Sequence, residues 1–202
     1  LAMTLVLRPN LPPYDAPRIT LVAAVAVAEA VREVTGLPAG IKWPNDLQLD
    51  GRKFCGILTE MEAEMERVSF VVCGMGLNVN LPRELLPAEF RESATSLMAE
   101  AGAKVSRAAL VRAVMARFEV AYDQLTAGRF DQVLDRWRAL SVTLGREVRV
   151  LSVTGAPTLE GTAVDVAEDG ALKVADAATG QVHRVLAGEV SLRPATAPSP
   201  QP

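Results

Sequence analysis

The sequence has few residues that could bind a metal through sulfur or imidazole. It contains 2 cysteines and 1 histidine among 202 residues. Cys55 and Cys73 each lie in an apolar segment, and a disulfide scaffold would need more cysteines in a shorter chain. His183 lies far along the chain, and neither cysteine has a second ligand at zinc spacing. We therefore predict two reduced, packed thiols in a cytoplasmic protein, with no tightly bound metal.

The sequence also lacks a long apolar run and an excess of positive charge. Its longest apolar run, residues 19–28, is shorter than the roughly 20 residues that a membrane-spanning helix needs. Lys and Arg number 21 against 24 Asp and Glu. Nucleic-acid-binding chains usually carry a basic face or stripe. We therefore expect no membrane association, and no binding of nucleic acid through this segment.

Residues 1–140 have the pattern of a sheet with packed helices. The predicted strands are residues 1–7, 41–43, 47–49, 54–60 and 68–73, and the predicted helices are residues 18–34, 107–125 and 130–140. Asp15 and Ser106 are the expected N-terminal caps of the first two helices. Asp50-Gly51 is typical of a type I′ hairpin turn, and a tight hairpin joins antiparallel strands.

Residues 143–193 change to short alternating segments, which predict a small β-barrel of the SH3-like kind. The predicted strands there are residues 148–151, 162–166, 171–174, 182–186 and 190–192. Residues 194–202 are rich in proline and are predicted to be disordered. The predicted fold class is α+β, with a mixed, partly antiparallel sheet and packed helices followed by the barrel domain.

One short segment concentrates polar and aromatic residues. Lys42-Trp43-Pro44-Asn45-Asp46 is followed by Arg52-Lys53 and by Gly56-Ile57-Leu58. Two lysines that converge at one end of a sheet can clamp a phosphate or a carboxylate. A hairpin with merely solvated lysines has the same spacing, so the spacing alone leaves both interpretations open.

A second segment, Gly74-Met75-Gly76-Leu77-Asn78, directly follows a predicted strand. Paired glycines let backbone N–H groups approach a ligand closely, and the Asn78 amide could read a base or a ureido edge. The segment lacks the third glycine of the dinucleotide-binding fingerprint. Taken alone, it is a weak signal, because a glycine-rich segment after a strand is usually only a turn.

Together the two segments resemble the core of biotin–protein ligases. The resemblance continues through Ala94-Thr95-Ser96-Leu97 and ends at residues 188–193, so it covers the chain apart from its tail. It implies a class II synthetase-like catalytic domain over residues 1–140 and an SH3-like domain over residues 143–193. It further implies an ATP-dependent biotin–[acetyl-CoA-carboxylase] ligase. Such enzymes form biotinyl-5′-adenylate and transfer biotin to a lysine of the biotin carboxyl carrier protein, with ATP, biotin and Mg²⁺ as substrates or activator.

The resemblance also implies roles for individual residues. Lys42 matches the lysine that reaches the biotin carboxylate and later the adenylate phosphate, and Asp46 and Lys53 match further catalytic positions. Asp46 is also the candidate Mg²⁺ ligand. The implied biotin- and ATP-binding residues are Lys42, Trp43, Asn45, Gly56, Ile57, Gly74, Gly76, Leu77 and Asn78. Because a single aromatic residue in an apolar stretch usually belongs to the core, we expect Trp43 to be a packed wall rather than to stack on biotin. Glu189 and Arg193 are expected to pair at the domain junction, although a surface ion pair explains them equally well.

The chain departs from the family pattern at its start. It begins with Leu1 rather than Met, and it contains no arginine- and glycine-rich loop like the one that the family carries upstream. We therefore expect a fragment with an exposed sheet edge and little ligation activity of its own. A homodimer is a further expectation, because dimers are common among relatives.

Three alternatives to a biotin ligase remain. A lipoate or octanoyl transfer enzyme shares the fold, but the Trp-Pro-Asn-Asp run and the C-terminal barrel favour biotin. A non-catalytic biotin-binding module would explain the absent loop. An RNA-binding protein with an SH3-like barrel is disfavoured by the acidic charge balance.

Overall fold

The computed structural model describes residues 1–64, 67–151, 157–186 and 189–192. In this part of the chain, two five-stranded sheets and four α-helices form the fold. This arrangement confirms the predicted α+β class. The division into domains at residues 140 and 143 stays a prediction. Arg193 and the tail lie outside the described residues.

The first sheet consists of β1 (Ala2–Leu7), β2 (Gly40–Lys42), β3 (Asp46–Leu49), β4 (Arg52–Glu64) and β5 (Arg67–Leu77). Its strand order is β1-β5-β4-β3-β2, and each neighbouring pair is antiparallel. Parallel pairing among the described residues is confined to two isolated bridges. Asp50 and Gly51 have φ values of 49° and 75°, as the predicted type I′ turn requires.

The four helices are α1 (Arg18–Thr35), α2 (Leu97–Ala101), α3 (Arg107–Thr126) and α4 (Phe130–Leu140). α1 is buried along most of its length because the sheet lies on one side of it and α3 and α4 pack against it. Ser106 caps α3 as predicted, since its hydroxyl accepts a hydrogen bond from the Ala109 N–H.

The predicted cap of α1 was wrong. Residues 13–15 form a 3₁₀ turn that leads directly into α1, so that Pro17 occupies the N-cap position. Asp15 therefore lies too early to cap the helix, and its carboxylate pairs with Arg18 at 3.0 Å instead. The acidic residue still contributes negative charge near the helix N-terminus, where it is favourable.

The second sheet consists of β6 (Glu147–Leu151), β7 (Pro157–Val166), β8 (Leu172–Asp176), β9 (Val182–Val185) and β10 (Glu189–Leu192). Its order is β10-β6-β7-β8-β9, and each neighbouring pair is antiparallel. These five short strands confirm the predicted all-β unit after the helices.

Polar contacts and a shared core join the second sheet to the helices. Arg138 of α4 donates to Asp165 of β7 at 2.8 Å, and Arg18 of α1 donates to the Glu168 carbonyl at 2.8 Å. Buried residues of both sheets belong to one continuous apolar cluster. The second sheet is therefore packed on the helical layer, at the end of the molecule where α1 begins.

Both thiols are unpaired and buried. Burial raises the pKa of Cys55 to about 12 and that of Cys73 to about 11. None of the helices in the described residues is both long and apolar enough to cross a membrane.

Candidate functional site

The first sheet has a core face and an open face. On the core face of β5, Val71, Cys73, Met75 and Leu77 are buried. Gly74 and Gly76 alternate with them and lie on the open face. Leu58 is 64% exposed on the same open face, next to Gly74 on the neighbouring strand. Contrary to the expected turn, the two glycines are therefore part of β5 itself.

Strand register arranges the predicted site residues in a row across the open face. Lys42 pairs with Asp46, Asp46 pairs with Gly56, and Gly56 pairs with Gly76. Directly paired residues of neighbouring strands point to the same face of a sheet. The structure thus brings together two segments that are about thirty residues apart in the sequence.

A β-bulge adds Lys53 to this row. Asp46 pairs with Gly56, and the register then shifts so that Gln48 pairs with Lys53. Because Phe54 is the extra residue, the side-chain alternation of β4 is reversed at this point. Lys53 therefore lies on the open face, and its Nζ is 2.5 Å from Asp46 Oδ1.

Gly56 leaves the space that the Lys53 side chain occupies. A Cβ atom at position 56 would lie 3.2 Å from both Cε and Nζ of Lys53. At positions 74 and 76 the nearest atoms would be carbonyl oxygens at 3.6 and 3.9 Å, which is ordinary contact. Packing within the chain therefore does not require glycine at Gly74 or Gly76. The missing side chains leave exposed backbone that a flat ligand can approach closely.

Lys42 adds a second cation beside the Asp46–Lys53 pair. It is the last residue of β2 and is partly buried. Among the described residues, the Lys42 ammonium has neither an ion pair nor a hydrogen bond, whereas Lys53 is paired. An anion that approaches the open face would therefore meet a cation whose charge is not already balanced.

A cleft of about 1110 Å³ begins at this row and reaches the second sheet. Its lining includes Lys42, Asp46, Lys53, Gly56, Gly76, Asn78, Phe90, Arg146 and Ser191. A second depression of about 430 Å³ extends from it over Leu58 and Gly74 towards β1, and shares Lys53, Gly56 and Gly76 with the cleft. Together they form one continuous surface that is long enough for an extended ligand.

Three of the predicted binding residues lie on the core face, which for Trp43 is the expected packed position. Trp43, Ile57 and Leu77 are 1%, 1% and 3% exposed. Strand alternation places Ile57 and Leu77 on the side that packs against α1. Their side chains therefore face away from the open face, and their role in binding stays a prediction.

The two asparagines use their side-chain amides inside the protein. Asn45 Nδ2 donates to the Ile57 carbonyl at 2.6 Å, which fastens the start of β3 to β4. Asn78 Nδ2 donates to the Thr95 carbonyl at 3.1 Å and so fixes the segment before α2. Asn78 also lines the cleft, and the bond to Thr95 uses one of the two N–H donors of its amide group.

Phe90 and Arg146 also line the cleft, although neither belongs to a motif in the sequence. Phe90 lies in a 3₁₀ turn of the loop before α2 and is 53% exposed. Arg146 immediately precedes β6. The aromatic residue in this loop was the only signal in the sequence, and it does not indicate a cleft without the fold. The predicted Glu189–Arg193 pair falls partly on residues outside the described ranges.

The site offers little to a magnesium ion by itself. Asp46 is already paired with Lys53, and the described residues contain no group of three or more His, Cys, Asp or Glu side chains that could hold a metal. Mg²⁺ is usually bound by one or two carboxylates together with substrate phosphates. Asp46 therefore fits at most a single contact to an ion that arrives with a nucleotide.

Both parts of the chain match known families that include biotin protein ligases. Residues 1–78 match the Biotin/lipoate A/B protein ligase family, and residues 143–193 match the Biotin protein ligase C terminal domain. A biotin--[acetyl-CoA-carboxylase] ligase from Paracoccus denitrificans is 30% identical over 184 residues, which are 90% of this chain and 76% of that protein.

Other relatives are longer than this chain. Bifunctional ligase/repressor BirA from Bacillus subtilis is 39% identical over 171 residues, 84% of this chain but 52% of that protein. The chain thus spans about half the length of the first curated relatives it matches. The structure of the Aquifex aeolicus biotin protein ligase in complex with biotin and ATP superposes with a TM-score of 0.80 at 26% identity, and covers 96% of this chain and 78% of that one.

Proposed function

Because the chain belongs to the biotin–protein ligase family, we propose that the protein is an ATP-dependent biotin–[acetyl-CoA-carboxylase] ligase. It activates biotin as biotinyl-5′-adenylate and transfers the biotinyl group to a lysine of the biotin carboxyl carrier protein. One observation carries this proposal: the unbalanced Lys42 cation stands beside the Asp46–Lys53 pair, at the end of a row that continues over Gly56 and Gly76.

The first step must bring two anions together. The biotin carboxylate attacks the α-phosphorus of ATP, and the bond to pyrophosphate breaks. Lys42 would neutralise both anions from a fixed position on β2, and a preorganised cation of this kind stabilises the charge that develops in the transition state. The ammonium of Lys53, which Asp46 holds on the same face, would face the nucleotide.

The second step needs a neutral amine on the carrier protein, which attacks the biotinyl carbonyl and releases AMP. Asp46 is the only carboxylate in the row of paired residues across the open face. We assign it to positioning this amine, and to a contact with nucleotide-bound Mg²⁺. The exposed backbone at Gly74 and Gly76, next to the exposed Leu58, would accept the fused ring system of biotin.

A lipoate or octanoyl transfer enzyme is the second candidate. The family matched by residues 1–78 includes both biotin and lipoate ligases by its description, whereas the domain matched by residues 143–193 is named for biotin protein ligases alone. The second match supports biotin.

Pyrophosphate release tests the proposal. The protein expressed from its complete reading frame is assayed with ATP and either biotin, lipoate or octanoate, with and without Mg²⁺, next to residues 1–202 alone. We expect release with biotin. Lys42→Ala should lower it by orders of magnitude at an unchanged melting temperature. Lys104→Ala serves as the control, because this exposed lysine lies outside the cleft.

Three results would contradict the proposal. Full turnover of Lys42→Ala would remove Lys42 from the chemistry. Release with lipoate but not biotin would favour the second candidate. Biotin binding without any release would identify a non-catalytic module. A sedimentation measurement on the same preparation tests the homodimer, and mass spectrometry of a biotin carboxyl carrier domain tests the transfer step.

A further inference from the structure

The segment that carries Lys42 is fixed by the second sheet and its connection. The backbone N–H of Trp43 donates to Thr143 Oγ1 at 2.9 Å, and the indole Nε1–H donates to the Gly170 carbonyl at 2.9 Å. Trp43 is 1% exposed and Thr143 is fully buried. Both bonds are therefore shielded from water, which makes them costly to break.

Both acceptors are themselves held in place. Gly170 belongs to the turn between β7 and β8, where its N–H donates to the Ala167 carbonyl at 2.9 Å. This turn rests on α1, because Arg18 donates to the Glu168 carbonyl and Leu21 packs against Gly170. Trp43 is therefore anchored to a turn that is itself held against α1.

Thr143 is anchored on the other side of the same segment. The neighbouring Val142 N–H donates to the Ile41 carbonyl of β2 at 2.9 Å, and the Thr143 N–H donates to Ser141 Oγ at 3.1 Å. The residues on both sides of Lys42 are thus tied to the connection between α4 and the second sheet. Lys42 itself has no hydrogen bond from its ammonium among the described residues, so its position depends on this backbone.

We propose that Trp43 and Thr143 are positioning residues, through which the second sheet and its connection set the place of the Lys42 ammonium for the adenylation step. This inference rests on the proposed function. Consecutive Cα atoms are about 3.8 Å apart and rigidly linked, so a displacement of Trp43 moves Lys42 directly. The buried indole resists such a displacement because the interior is close-packed.

A pair of variants at Thr143 tests the proposal in the protein expressed from its complete reading frame. Thr143→Val keeps the shape but removes the oxygen that accepts from Trp43. Thr143→Ser keeps the hydroxyl and loses only the methyl group. We expect the kcat of biotin-dependent pyrophosphate release to fall roughly tenfold or more in Thr143→Val, with a smaller change in the KM for biotin. Thr143→Ser should retain most of the wild-type kcat.

Arg138→Gln is the control for a general weakening of the junction. It removes hydrogen bonds to Asp165 and to the Val166 carbonyl, at a point of the same interface that does not touch the Lys42 segment. We expect it to lower the melting temperature but not kcat, when each variant is assayed well below its own melting temperature.

The outcomes separate the two proposals. Wild-type kcat in a folded Thr143→Val, or equal losses in Thr143→Val, Thr143→Ser and Arg138→Gln, would overturn the positioning role. If Thr143→Val does not fold, Trp43→Phe tests the second bond of the anchor, because it removes the indole N–H that donates to the Gly170 carbonyl and keeps an aromatic ring at this buried position. A wild-type protein that binds biotin but releases no pyrophosphate would overturn the proposed function, and this inference with it.

Discussion

Gly76→Ala separates the stability of the fold from ligand binding on the open face. The added Cβ would have the Gly56 carbonyl oxygen as its nearest neighbour, at 3.9 Å, so nothing in the chain has to move. Glycine inside a strand costs about 0.5–1 kcal/mol relative to alanine. The variant should therefore be at least as stable as the wild type, with a melting temperature up to about 4 °C higher.

The same methyl group would stand where we place the ligand. An extra methyl group in a close-packed contact typically costs about 1–3 kcal/mol, which corresponds to a Kd for biotin or ATP that is weaker by roughly fivefold to 150-fold. Differential scanning calorimetry gives the stability, and isothermal titration calorimetry with each ligand gives the affinity. Wild-type affinity for both ligands in a folded Gly76→Ala would refute the assignment of the open face as the binding surface.

Gly161→Ala is the matched control in the second sheet. A Cβ there would collide with the carbonyl group of Ala175 on the neighbouring strand, so this variant should lose stability. Its folded fraction should bind both ligands with wild-type affinity, because Gly161 lies outside the cleft and the depression beside it. Opposite patterns in the two variants would show that the open face of the first sheet is kept free for a ligand.

Two further predictions concern the carboxylate of the site and the buried thiols. Asp46→Ala should lower pyrophosphate release or biotin transfer more than it lowers the affinity for biotin, because Asp46 holds Lys53 and does not contact the biotin ring. A comparison of the calorimetric Kd for biotin with turnover tests this prediction. An equal loss in both quantities would contradict it. Burial raises the pKa of Cys55 to about 12 and that of Cys73 to about 11, so neither thiol should react with iodoacetamide at pH 8 until the protein unfolds. Above pH 9 the thiols of the unfolded chain lose their protons while those of the folded chain keep them, so the stability of the fold should fall as the pH rises above 9. A wild-type melting temperature that rises between pH 9 and 10.5, relative to that of Cys55→Ala, would contradict the raised pKa values.

The sequence predicted the elements whose signals are local and long. α1 is nearly continuous in apolar residues and ends at Gly36, which has φ 72° as a helix C-terminus requires. The hairpin at Asp50-Gly51 follows directly from its turn chemistry. α2 was not predicted, because it has only five residues and because its first two N–H groups donate to carbonyls of the segment after β5, which no local pattern shows.

The face on which Lys53 lies could not be predicted either. Strict alternation from Gly56 would place Lys53 on the core face, where its charge could not be buried without a partner. Only the bulge at Phe54 reverses that assignment, and a bulge depends on how two strands pair rather than on the residues of one. The ion pair with Asp46 is therefore a consequence of tertiary structure.

The Lys42–Asp46 segment shows why a motif can be specific without all of its residues being chemical. Alternation sends Lys42 to the open face and Trp43 to the core, where the ring is tied to Gly170. Asn45 then fastens the start of β3 through the Ile57 carbonyl, and Asp46 returns to the open face. Two residues of the segment thus present charge, and the residues between them fix where that charge stands. A displacement of Lys42 and Asp46 by about 1 Å would make both far less effective in catalysis. We therefore expect substitutions of the anchoring residues to be tolerated as poorly as substitutions of the charged ones.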